Sequence, residues 1–119
     1  MNPTRLVLVF VSPLAQELAV LADRLRWPVT VVDPDRTRLD ADPVPYARTV
    51  TSVAAARLDA GCDVVVCDHD RPEFEAVLAE LLAGPSRLHP PAGPDLGSHS
   101  PPEIAIATVA GMLAELRSV

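Results

Sequence analysis

The sequence predicts an α/β fold: a small three-layer sandwich built around a parallel sheet of four to five strands. Three observations carry that expectation. Leu6-Val7-Leu8-Val9-Phe10-Val11 is an unbroken, valine-rich apolar run, the pattern of a strand buried on both faces. Asp63-Val64-Val65-Val66-Cys67 is a second strand of the same kind. Between and after these runs the apolar residues recur at helical spacing. With 119 residues the chain is expected to be one domain, residues 1–119, long enough for one core and too short for two.

The first helix is expected over residues 13–26, with Leu14, Leu18, Leu21 and Leu25 on its buried stripe and Ala15 and Ala22 beside it. Ser12 suits its N-cap, and Pro13 suits the first helical position, where a missing N–H costs nothing. Trp27-Pro28 ends it. Val29-Thr30-Val31-Val32-Asp33 reads as a β-branched strand closing on an acid. Residues 34–46, rich in proline and aspartate, read as irregular, with at most a helical turn near residues 36–39. Residues 47–50 read as a short strand towards the sheet edge. Thr51 or Ser52 then caps a short alanine-rich helix, with Gly61 as its left-handed stop. After the second buried strand and the polar turn Asp68-His69-Asp70-Arg71, a helix is expected over residues 72–83. Its buried side would carry Phe74, Val77, Leu78, Leu81 and Leu82, and Gly84 would stop it. Residues 85–100 read as loop with a brief extended segment around Leu88. Ser100-Pro101-Pro102-Glu103 is a capping box that opens the last helix, in which Gly111 would allow a close approach to a neighbour.

A strand that runs straight into a helix near the N-terminus opens a doubly wound nucleotide-binding fold. In the order 3-2-1-4 the sheet reverses direction between the first and fourth strands, and a ligand crevice opens there. The turn that should be glycine-rich holds only Ser12-Pro13, and the first glycine is Gly61. Composition narrows the function classes further. The formal charge is -6, and aromatic residues are few (Phe10, Trp27, Tyr46 and Phe74). Nucleic acid, which needs a basic face or stacking platforms, is not an expected partner. No apolar run is long enough to span a membrane. Ser12-Pro13 and the charges after it break up what would otherwise read as a leader, so a cytoplasmic chain is expected. Cys62 and Cys67, at the two ends of one strand, are too far apart to bridge and read as buried thiols.

Four segments carry candidate chemistry. Asp33 stands about twenty residues after the first turn, where dinucleotide folds place the acid that holds ribose hydroxyls. The plainer reading is a solvated strand-end aspartate before a proline. Ser12 and the first amides of its helix could hold one phosphate. Asp68, His69 and Asp70 lie at a strand's C-terminal end. They suit a metal or ligand contact, a histidine base oriented by an aspartate, or a polar turn in which Asp70 caps the next helix. His89, Asp95 and His99 match no tight zinc spacing. Gly93-Pro94-Asp95-Leu96-Gly97 reads as a fixed turn in which Asp95 accepts backbone amides. There is no nucleophile elbow and no P-loop, so turnover by this chain alone is not expected.

The tail Arg87-Leu88-His89-Pro90-Pro91-Ala92-Gly93-Pro94-Asp95-Leu96-Gly97, followed by Ser100-Pro101-Pro102-Glu103-Ile104-Ala105, resembles the C-terminal signature of the XdhC/CoxI family. These are accessory proteins of xanthine dehydrogenase and other molybdenum hydroxylases. Leu8 to Leu18, Val31-Val32-Asp33 and Val64 to Asp70 also resemble that family's Rossmann domain in order, with His69 and Asp70 on its histidine-aspartate turn. The family's glycine-x-glycine turn is replaced by Val11-Ser12-Pro13. A glycine-serine-arginine segment is absent before Arg87, and the cysteine-bearing N-terminal domain has no counterpart in these residues. The resemblance implies an accessory role in maturing a xanthine dehydrogenase or CO dehydrogenase type enzyme, exercised by binding a cofactor or partner. With the residue readings above, the candidate cofactors are NAD(P) or the molybdenum cofactor, with Ser12, Asp33, Asp68, His69, Asp70 and Asp95 as candidate contacts and no metal ligands. The partner implied by the resemblance is the molybdenum-hydroxylase apoenzyme, and a homodimer goes with the structural-module alternative. The alternatives are a reduced nucleotide-binding domain for an oxidoreductase or sensor, and a structural module with a decayed site.

Overall fold

Five parallel strands, β1 (Leu6–Val9), β2 (Val29–Val32), β3 (Ala47–Val50), β4 (Asp63–Val66) and β5 (Arg87–His89), form one sheet in the order β3-β2-β1-β4-β5. The computed structural model describes residues 5–89 and 100–117. The helices are α1 (Pro13–Arg24), α2 (Arg36–Ala41), α3 (Val53–Ala56), α4 (Phe74–Ala83) and α5 (Pro101–Arg117). Leu6 is in register with both Val29 and Asp63, so β1 lies at the centre and the winding reverses between β1 and β4. This is a small Rossmann-like α/β domain.

Alternation along the strands divides the core in two. Leu6, Leu8, Val29, Val31 and Val65 pack against α1 and α5, with Leu39 of α2 in the same cluster. Val7, Val9, Val32, Val50 and Val64 pack against α3 and α4 on the other face. The two buried runs of the sequence are the two central strands, as their composition requires.

The helices depart from the expected faces in instructive ways. In α1 the buried residues are Ala15, Leu18, Ala19 and Ala22, while Leu14 and Leu21 are half-buried and Leu25 is exposed. Helix α1 is packed both on the sheet and along α5, and small side chains let the three approach. Gly111 was expected to serve a close approach, yet a Cβ built there would meet no atom within 4 Å. The face of α5 that packs carries Ala105, Val109 and Met112 instead. Leu82 on α4 points to solvent.

Several boundaries also differ. Helix α2 is a six-residue helix capped by Asp35, whose carboxylate accepts the Thr37 N–H at 3.0 Å. Helix α3 stops at Arg57, not Gly61, and Arg57 itself takes the left-handed conformation (φ 54°). Helix α4 begins at Phe74, and its cap position, Glu73, makes no side-chain capping bond. At the start of α5 the Glu103 arm of the capping box is in place: Ser100 donates to the Glu103 carboxylate through its hydroxyl at 2.8 Å and its N–H at 3.3 Å. Cys62 and Cys67 are free, buried thiols. No helix among the described residues is long and apolar enough to cross a membrane.

Candidate functional site

The crevice at the winding reversal is built from the ends of β1, β2 and β4. Strand β1 leaves the sheet through Phe10, which holds φ at 74°. A bulky residue there costs on the order of 1–2 kcal/mol, which a glycine would not incur. Full burial of the ring and a 2.8 Å bond from the Phe10 N–H to the Val32 carbonyl hold it in place. The turn brings the Val11 N–H to 2.9 Å from Asp33 Oδ2. Ser12 then caps α1, its hydroxyl accepting the Ala15 N–H at 3.1 Å.

Asp33 is completely buried at the end of β2. Its Oδ1 accepts the Asp35 N–H at 2.9 Å. The guanidinium of Arg71 reaches in from the loop after β4, with Nη2 at 2.6 Å from Oδ2 and Nη1 at 3.3 Å from Oδ1. Arg71 also donates to the Val11 carbonyl and to Asp68, both at 3.3 Å, and its guanidinium lies 5.0 Å from the centre of the Phe10 ring. Burial alone would raise the Asp33 pKa. The hydrogen bonds from Arg71, Val11 and Asp35, with the Arg71 charge, outweigh burial and hold the carboxyl below the usual aspartate value. For Arg71, burial favours the neutral form, but Asp33 and Asp68 outweigh it and hold the charge more firmly than usual.

These bonds bear on the ribose role expected of Asp33. A carboxylate offers about four acceptor positions, and here two N–H groups and two guanidinium nitrogens fill them. These are the positions a ribose hydroxyl would use, and the Val11 amide in the turn after β1 is already given to Asp33. The carboxylate is thus engaged by groups of the chain itself. The residue that sequence reasoning missed is Arg71. The sequence offers no direct signal for it: Arg71 is a lone cation in the polar turn after β4, 38 positions beyond Asp33 at the end of β2.

The acids and histidine after β4 do not converge with Asp33 and Ser12 as one ligand shell. Asp68 closes the turn by accepting the Asp70 N–H at 3.0 Å and steadies Arg71. His69 and Asp70 stand in solvent with a 3.9 Å separation, so Asp70 neither caps α4 nor firmly orients the imidazole. Among the described residues no group of three His, Cys, Asp or Glu side chains could hold a metal. Asp95 and His99, with the expected turn around them, lie outside the described residues. His89 pairs instead with Asp63: its Nε2 is 2.9 Å from Oδ1, and its Nδ1 is 3.7 Å from Glu115. Arg87 donates to the same Asp63 at 2.7 Å, so β4, β5 and α5 are joined by one charged cluster.

Beside the closed crevice, at the C-terminal ends of β4 and β5, lies a cleft of about 360 Å³. It is lined by Val66, Leu88 and, from α4, Phe74 and Leu78, together with Cys67, Asp68, His69 and His89. Burial pushes the Cys67 thiol pKa up, so the sulfur is uncharged. A polar hollow of about 550 Å³ lies elsewhere on the domain, between Arg24, Trp27 and Tyr46.

No family model matches the chain, and no curated protein is found as a relative. Among solved structures it is similar to the crystal structure of a xanthine dehydrogenase from Bacillus halodurans, with a TM-score of 0.70 at 19% identity. The match covers 97% of this chain and 43% of that one, so the chain spans less than half of its structural neighbour's length, and the likeness is one of fold.

Proposed function

We propose that this chain is an XdhC/CoxI-like accessory module of a molybdenum-hydroxylase system, acting by docking to the immature enzyme and not by turnover. The observation that carries the reading is the backbone likeness, over nearly the whole chain, to part of a protein described as a xanthine dehydrogenase. The tail motif from Arg87 to Ala105 supports it independently. The internal Asp33–Arg71 pair argues against the runner-up, a dinucleotide-binding domain, because it uses the groups that such a ligand would need. The open rim presents the exposed Asp70 and the partly exposed Asp68, which disfavours a phosphate-bearing cofactor there and favours contact with the apoenzyme itself.

Calorimetric titration of the purified chain into a molybdenum hydroxylase from the same organism tests this. Binding to the cofactor-free enzyme, weakened when the enzyme is loaded, is the expected result. Absence of binding to either form would refute the reading. A structural module with a closed site is the second reading, favoured by the same Arg71 plug, and it predicts no binding to either form.

A further inference from the structure

We propose that the cleft at the ends of β4 and β5 is a binding site for a small one- or two-ring aromatic compound that is neutral or cationic and carries an N–H donor. This rests on the cleft's own geometry and does not depend on the link to molybdenum hydroxylases. The hollow has a physical origin. Strand β5 is only three residues long, and α4 does not begin until Phe74, so nothing from these elements fills the space above the Leu88 side chain. Val66, Phe74, Leu78 and Leu88, from three elements, are left half-buried around one space. At about 360 Å³ it lies near the lower end of the range for small-molecule pockets, which suits one or two rings.

Charge sets the sign of the ligand. Among the described lining residues none is lysine or arginine. The nearby guanidinium of Arg71 is turned inward, with its side chain 1% exposed. Asp68 lines the cleft, and each of its oxygens carries one internal donor, leaving a lone pair on each for a ligand N–H. His89 has both ring nitrogens directed at the carboxylates of Asp63 and Glu115. Asp68 repels an anion placed beside it, whereas an aromatic N–H donor matches both wall and rim.

The test is a titration of the ¹⁵N-labelled chain with 2-aminobenzimidazole and, in parallel, with the anionic two-ring compound 2-naphthoate. Expected are saturable amide shifts at residues 66–69 and Leu88 with the amine only. Intermolecular proton contacts from its ring to the methyls of Val66, Leu78 and Leu88 should accompany them. In Leu78→Trp, which fills the space from a half-buried position, the amine should bind about tenfold more weakly. Three results would overturn the proposal: no saturable shift, shifts centred on Trp27, or naphthoate binding as tightly as the amine. The proton contacts are read on the unaltered chain, so the outcome does not depend on the variant folding.

Discussion

Arg71 Nη2 lies 2.6 Å from Asp33 Oδ2, both side chains are essentially unexposed, and the two residues are 38 positions apart in the chain. The pair joins the loop after β4 to the end of β2 across the central strand, at the point where related folds admit a ligand. Its contribution is conditional. Two buried charges with satisfied hydrogen bonds roughly balance their desolvation, but either one alone does not.

Removing one partner should therefore be costly. Arg71→Met or Asp33→Leu is expected to destabilise the domain by about 3–5 kcal/mol. For a chain of this size that is a melting-temperature drop on the order of 10 °C or more. Asp33→Leu combined with Arg71→Met should cost clearly less than the sum of the single losses, and a double-mutant cycle by chemical denaturation measures the difference.

The pair also sets the response to acid. The Asp33 carboxyl titrates below its unfolded value, so its contribution is fully present above the ordinary aspartate pKa of about 3.9. It is lost as pH falls from there through the lower folded-state value. In Arg71→Met the largest lowering influence disappears while burial persists, so the Asp33 pKa should move up. Carbon-13 titration of the Asp33 carboxyl reads both directions directly.

Ser12 is a helix cap in this account and not a phosphate ligand. Ser12→Ala should lower stability by about 1 kcal/mol, whereas Ser12→Gly should cost only a few tenths. Equilibrium unfolding of the two variants distinguishes a cap from a residue that matters only with ligand present.

Gly111 sits in the interior of α5 with open space where a side chain would go. Gly111→Ala should stabilise the chain by about 0.5–1 kcal/mol, because alanine is the better helix former. A loss of stability would mean that the glycine does serve a close approach, as its sequence context suggests.

These outcomes divide along what a sequence can express. Strands β1 and β4 were legible because a central parallel strand buries both faces, which leaves an unbroken apolar run. The caps at Ser12 and Ser100 were legible because they depend on residues three apart. The buried stripe of α1 was misread because leucine outranks alanine in hydropathy, while the spacing to α5 and the sheet decides which residues fit. Arg71 was invisible because a lone arginine in a polar turn looks solvated. Only the adjacency of β1 to both β2 and β4 brings it to Asp33. Asp33 itself was singled out correctly as a residue at the crevice, but its partner belongs to the chain.

The central claim is that Arg71 closes the dinucleotide crevice from within. Thermal melts of the unaltered chain with NAD, NADH, NADP and NADPH test it most directly. A ligand at about one hundred times its dissociation constant adds roughly 2.7 kcal/mol to stability, a rise of several degrees for a domain of this size. The account predicts no rise with any of the four. A rise of several degrees with even one would contradict it and return Asp33 to the role of a ribose contact.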